Sequence, residues 1–176
     1  MIKSSSMPEL LDPWRAVAAD LGFAGTLPLS RFDRLRDGLA DADGEFHFRL
    51  VFSRDSQRRA VVRGEIKARL SLICQRCMGP LDHDVDVVIE LALVSGVDEA
   101  ITLPEHYDPL LVTGEPIRPA DLLEDELLLA LPQIPMHPPG ACDLRCPRTG
   151  AKAEAEEAGE THPFAVLAEW KRNSGP

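Results

Sequence analysis

Two cysteines separated by two residues, Cys74 and Cys77, sit in the stretch "CQRCMGPLDHDV", where a Gly-Pro pair follows them and alternation of polar and apolar residues begins. Thiolates at that spacing in a tight turn can both reach one zinc ion at about 2.3 Å, so the first chemistry to weigh is metal ligation. Two thiols in an ordinary hairpin turn, or a redox pair, are the rival readings. A second group, Cys142 and Cys146, lies close to His137 in the Pro/Gly-rich segment "MHPPGACDLRC", which has few other means of being held. The two groups offer five candidates for the four positions of a closed zinc site. Cys74, Cys77, Cys142 and Cys146 form the simplest set, with a longer gap between the last two than a knuckle usually has. Cys74, Cys77, His137 and Cys142 form the alternative. A thioredoxin-like thiol oxidoreductase wants its C-x-x-C at a helix N-terminus, whereas this pair falls between two predicted strands.

The remaining side chains ask for no catalysis. The sequence holds no glycine-rich phosphate loop, no G-x-S-x-G elbow and no H-E-x-x-H helix, and its five histidines are scattered. Glu124, Asp125 and Glu126 are contiguous on a predicted helix and do not converge on one point; Asp125 and Glu126 read as a solvated face rather than an acid/base pair, and the three are candidates for contact with a partner. A non-enzymatic protein is expected. Arg59, Arg63, Lys67 and Arg69 alternate along one strand and are candidates for phosphate contact, although a solvated sheet face normally carries charges of this kind.

The elements that must position these residues are read from periodicity. Phe46, Phe48, Leu50 and Phe52 share one side of a strand; Ala60, Val62, Ile66, Ala68, Leu70 and Leu72 share one side of a second; Val85, Val87, Ile89, Leu91 and Leu93 mark a third. Short turns join them, which favours an antiparallel meander. "IRPADLLEDELLLALPQIP" is the clearest helix, opened by Pro119, closed by Pro132, and given a core face by Leu123, Leu127, Ala130 and Leu131. Shorter helices are expected at 14–21 and near 31–40, with at most one short strand near 110–112. The expected fold is therefore α+β: a small antiparallel meander packed by a few helices and carrying a zinc knuckle. The expected organisation is a helical or irregular segment (1–44), an α+β core with the cysteines (45–146), an acidic linker (147–160) and a short apolar tag (161–176) that includes Phe164 and Trp170. Those two aromatic residues join the acidic helix as candidate partner contacts.

Composition bounds the function. The 176 residues carry a net charge of −10, which excludes a protein that coats nucleic acid through an overall positive field. Residues 31–76 nevertheless hold eleven Lys or Arg against seven Asp or Glu, a net of +4, so any nucleic-acid surface must be local. No stretch approaches the roughly 18–20 apolar residues of a membrane helix, and the start "MIKSSSMPELLDPW" lacks the apolar run of a secretory signal. A cytoplasmic protein without a membrane partner is expected, and in that reducing compartment the thiols favour metal over disulfides.

Four blocks occur in order: "CQRCMGPLDHDVDVVIELALV", "LPEHYDPLLV", "DLLEDELLLALPQIPMH" with a cysteine soon after, and "HPFAVLAEWKR". Together they resemble the YceD family of bacterial large ribosomal RNA subunit accumulation proteins, over roughly residues 45–172. The resemblance implies a non-enzymatic role in the synthesis, processing or stability of large-subunit (23S) ribosomal RNA. It implies contact with that RNA directly or through a basic ribosomal or processing protein, and the charge balance fits the adaptor better. The family pattern carries cysteines at Cys74 and Cys77, then a His and a Cys at His137 and Cys142. Cys146 is not part of it, a departure that raises the His137 alternative beside the four-cysteine set. The family's "NPFA" reads "HPFA" here. A zinc-stapled protein-binding module unrelated to ribosomes is the alternative function.

Overall fold

A computed structural model of the chain describes residues 7–142. Chain order runs α1 (Pro13–Ala18), β1 (Gly22–Pro28), a single 3₁₀ turn (Leu29–Arg31), α2 (Asp33–Arg36), β2 (Glu45–Arg54), β3 (Ala60–Ile73), β4 (Pro80–Val94), α3 (Val97–Ile101), β5 (Asp108–Leu111) and α4 (Pro119–Ala130). The five strands form one sheet in sequence order. β1 to β4 are antiparallel neighbours, as the short turns require, and β5 returns parallel to β4. That reversal follows from the connection: residues 95–107, which include α3, are long enough for the crossover that a parallel pair needs. The fold is α+β with a mixed sheet.

Alternation places every second strand residue in one core. Phe46, Leu50 and Phe52 of β2, Ile66 and Leu70 of β3 and Ile89 of β4 are fully buried, and Val17, Leu29, Leu35, Leu123 and Leu127 cover them from the helical side. Burying large aliphatic and aromatic side chains of this kind contributes about 1.5–3 kcal/mol each. Gly64, in the middle of β3, has a specific reason to lack a side chain: a Cβ there would overlap the Arg49 carbonyl oxygen and approach Leu50 Cδ2 to 2.8 Å.

The N-terminal region departs from the expected helices. Gly22–Pro28 is an edge strand paired with β2, in a region read as helical or irregular. Its alternation of Phe23 and Leu27 is masked by Gly22, Gly25 and Pro28, residues that an edge strand tolerates. α1 stops at Ala18 rather than at 21, because Asp20 turns into the left-handed region (φ 47°) before β1 begins. The helix expected near 31–40 is one turn of α-helix after a 3₁₀ turn, and α3 was not anticipated.

β3 and β4 are much longer than their neighbours. β2 reaches only Ala68, and beyond that point β3 and β4 continue as a paired ribbon to Ile73 and Pro80, met on the β2 side by an isolated bridge between Asp41 and Ser71. The C-x-x-C turn closes its end.

Candidate metal centre

Local hydrogen bonds shape the turn before any ligand is considered. Cys74 N donates to Gly79 O at 2.9 Å and Met78 N to Cys74 O at 2.9 Å. Met78 takes a left-handed conformation (φ 59°), which redirects the chain into β4. The other half of the site follows α4. Leu131 leaves the helix with extended backbone ahead of Pro132, and the chain then runs alongside the turn, where Gln75 N donates to Pro135 O at 2.8 Å.

This juxtaposition brings Cys74, Cys77, His137 and Cys142 together, with one ligand atom from each within 4.8 Å of all the others. Cys74 Sγ lies 3.8 Å from Cys142 Sγ, and His137 Nδ1 lies 3.4 Å from Cys77 Sγ and 3.6 Å from Cys142 Sγ. Two sulfurs at about 2.3 Å from one tetrahedral ion stand about 3.8 Å apart, and a sulfur and an imidazole nitrogen about 3.5 Å apart. The separations therefore fit the edges of one tetrahedron. The histidine is also oriented. Its Nε2 is 3.0 Å from the Pro80 carbonyl oxygen, which can only accept, so Nε2 carries the proton and the Nδ1 lone pair faces the sulfurs.

Electrostatics point the same way. Burial alone would raise the Cys74 thiol, but hydrogen bonds from the His137, Cys77 and Arg76 amides and the Cys77 side chain bring it down to about 5. The His137 amide donates to Cys74 Sγ at 3.4 Å. Cys142 is pushed up, first by burial and then by its hydrogen bonds with Cys74 and Cys77 and their charge. Three sulfurs crowd one another here, so deprotonating one disfavours deprotonating the next, and a cation among them would remove that conflict. The donor set can hold a metal ion. Cys146, the fourth ligand of the simpler set, lies outside the described residues, as do Phe164 and Trp170.

The candidate phosphate row is brought to the open sheet face but not left free. Lys67 Nζ is 3.7 Å from Asp86, and Arg69 Nε is 3.4 Å from Asp84 and 3.6 Å from Asp82, across the register that pairs β3 with β4. Arg63 donates to the Tyr107 hydroxyl at 2.5 Å. Arg59 belongs to the β2–β3 turn, where it pairs with Asp55 at 3.3 Å. Along β2 to β4 that face carries Arg49, Arg63, Lys67 and Arg69 against Glu45, Glu65, Asp82, Asp84, Asp86 and Glu90.

The acidic helix also resolves differently from its expected role. Glu124 is buried and turned inward, so it is not a partner surface. Its Oε1 accepts from the Arg34 and Leu35 amides at 2.9 and 3.2 Å, and its Oε2 accepts from the Arg34 guanidinium at 2.8 Å. A residue of α4 thereby caps the N-terminus of α2, which has no side-chain cap of its own. Asp125 is exposed and paired with Arg34 at 2.8 Å, and Glu126 is half-buried.

Taken together, the chain is a small α+β protein with a mixed sheet, whose longest hairpin carries at its tip a Cys₃His set that could hold a metal ion. Residues 62–171 match the family model described as large ribosomal RNA subunit accumulation protein YceD. The Haemophilus influenzae protein of that name is 31% identical over 169 residues, 94% of this chain and 97% of the relative. The chain belongs to this family of large ribosomal RNA accumulation factors. No solved structure matches it.

Proposed function

We propose that this chain supports the accumulation of large-subunit ribosomal RNA as a non-enzymatic adaptor that holds a basic ribosomal or processing protein, and that one structural zinc ion is bound by Cys74, Cys77, His137 and Cys142. The pairing of β3 cations with β4 carboxylates carries the adaptor reading. A face with four cations and six carboxylates offers little attraction to a phosphate chain. The individual pairs are exposed and worth little in stability, about 0–1 kcal/mol each, but they cancel the local field that RNA would need. The relative's name supplies the link to ribosomal RNA.

Three thiolates and one imidazole suit zinc among the common divalent ions. Four converging donors leave a four-coordinate ion no open position, which supports a role in holding the ribbon tip to the segment after α4 rather than in catalysis.

The test is purification of the tagged chain from cells, followed by identification of bound RNA and protein. Expected are large-subunit precursor RNA and a basic protein that stays bound after nuclease treatment. Purified chain alone should bind large-subunit RNA fragments more weakly than about 1 μM at physiological salt. Tighter binding with no other protein, with a log–log salt slope of roughly −0.7 per contact that Arg63→Glu with Lys67→Glu flattens, would instead establish direct contact.

A further inference from the structure

On the open sheet face Asp82, Asp84 and Asp86 are paired with cations across the strands, whereas the carboxylates around the start of α4 outnumber the cations beside them, Arg118 and the Asp125-paired Arg34. A groove runs between the N-terminal segment, the β5 edge and the first turns of α4, with Leu10, Leu110, Ile117 and Leu122 along it and Asp121 and Asp125 on its wall. Leu10 is 58% exposed and Leu110 and Ile117 are half-buried, so apolar surface is open to solvent there. Glu9, Asp108, Glu115 and Glu126 adjoin it in the chain or in space, giving six carboxylates with the two aspartates; Arg118 and Arg34 are the cations, an excess of four negative charges. The crowding is felt at Glu126, whose carboxyl is pushed up by burial and then by Asp108 and Asp125. The walls are preformed, because Leu11 and Ile117 exchange two backbone hydrogen bonds of 2.8 Å.

We infer that this groove docks a lysine- and arginine-rich amphipathic segment of a protein partner, its apolar side chains on Leu10, Leu110, Ile117 and Leu122 and its cations on Asp121 and Asp125. The inference rests on the adaptor reading and names the surface that performs it. Charge selects against nucleic acid, since the excess carboxylates repel phosphates. The apolar floor selects against a merely cationic tail, which would leave that floor exposed. Strand addition is not the mode of binding: β5 is four residues long, and Pro109 has no N–H to offer at its edge. The segment is therefore held by side chains.

The experiment uses the full zinc-loaded chain, with fluorescein-labelled leucine–lysine amphipathic peptide and an oligolysine of equal charge as probes, read by anisotropy at physiological salt. The amphipathic peptide should bind about tenfold tighter than oligolysine. Asp121→Asn with Asp125→Asn, and separately the exposed-site change Leu10→Ser, should each weaken it about tenfold, while Asp82→Asn with Asp84→Asn should change it less than about twofold. Equal weakening by the two aspartate pairs, indifference to Leu10→Ser, or equal binding of both probes would each overturn the groove. In cells, groove variants that lose a basic protein retained by the wild type support the assignment. If they retain it equally, the groove falls and the adaptor reading stands; if the wild type retains no basic protein, the adaptor reading falls and takes the groove with it.

Discussion

His137 and Cys146 compete on paper for one place in the metal centre, and the orientation of the imidazole separates them. With Nε2 committed to the Pro80 carbonyl, Nδ1 faces Cys77 and Cys142 at ligand separations. His137→Ala and Cys142→Ser should therefore each lose most of the bound zinc, whereas Cys146→Ser should keep about one zinc per chain, measured by elemental analysis of freshly purified protein. Retention of zinc by His137→Ala together with its loss from Cys146→Ser would restore the four-cysteine set. The local pair was legible because C-x-x-C within a turn is a sequence-level signal. The choice between the distal ligands was not, because spacing in an irregular segment says nothing about which way a ring points.

At the scale of elements, α2 depends on a residue 88 or more positions away. Glu124 supplies its missing cap from α4, across separations of 90 residues to Arg34 and 89 to Leu35. Burial would raise the Glu124 carboxyl, but the Arg34 side chain and the Leu35 and Arg34 amides more than offset it and hold it below its ordinary value. A depressed folded-state value means that this stabilisation is present above the unfolded glutamate value of about 4.3 and is lost as the pH falls through the lower folded value. Glu124→Gln should cost about 1–2 kcal/mol in urea unfolding at neutral pH, and the gap to the wild type should close on acidification below about pH 4. A gap that stays constant with pH would remove the charge from the account. The three long strands were legible because their alternation runs over many residues, interrupted on the core face of β3 at Gly64 alone. β1 was not, because glycines and a proline interrupt its pattern, and α2 is too short for helical periodicity to show. Glu124 was misread for a related reason: three consecutive acids look like a solvated face, and only a tertiary contact picks the buried one.

For the whole molecule, the net charge of −10 was legible but its arrangement was not, since cross-strand pairing decides which cations remain free. The Cys₃His cluster spans this scale too, because its donors come from the ribbon end and from the segment after α4, which an ion held there would join. Chelation should loosen that end without dissolving the core: amide exchange should accelerate in residues 70–83 and 132–142, while β2 and the adjoining half of β3 stay protected by their buried apolar face. Global loss of protection would show instead that the fold depends on the ion. The same connection orders events during synthesis. Cys74 precedes His137 by 63 residues and Cys142 by 68. At 5–20 residues per second the ribosome makes the first two thiols roughly 3–14 s before their distal partners. An ion captured in that interval would have only half its protein ligands and would remain open to exchange with competing thiols. The closed site can form only after β4, the crossover and α4 have been made, so full coordination marks a chain whose core has been completed.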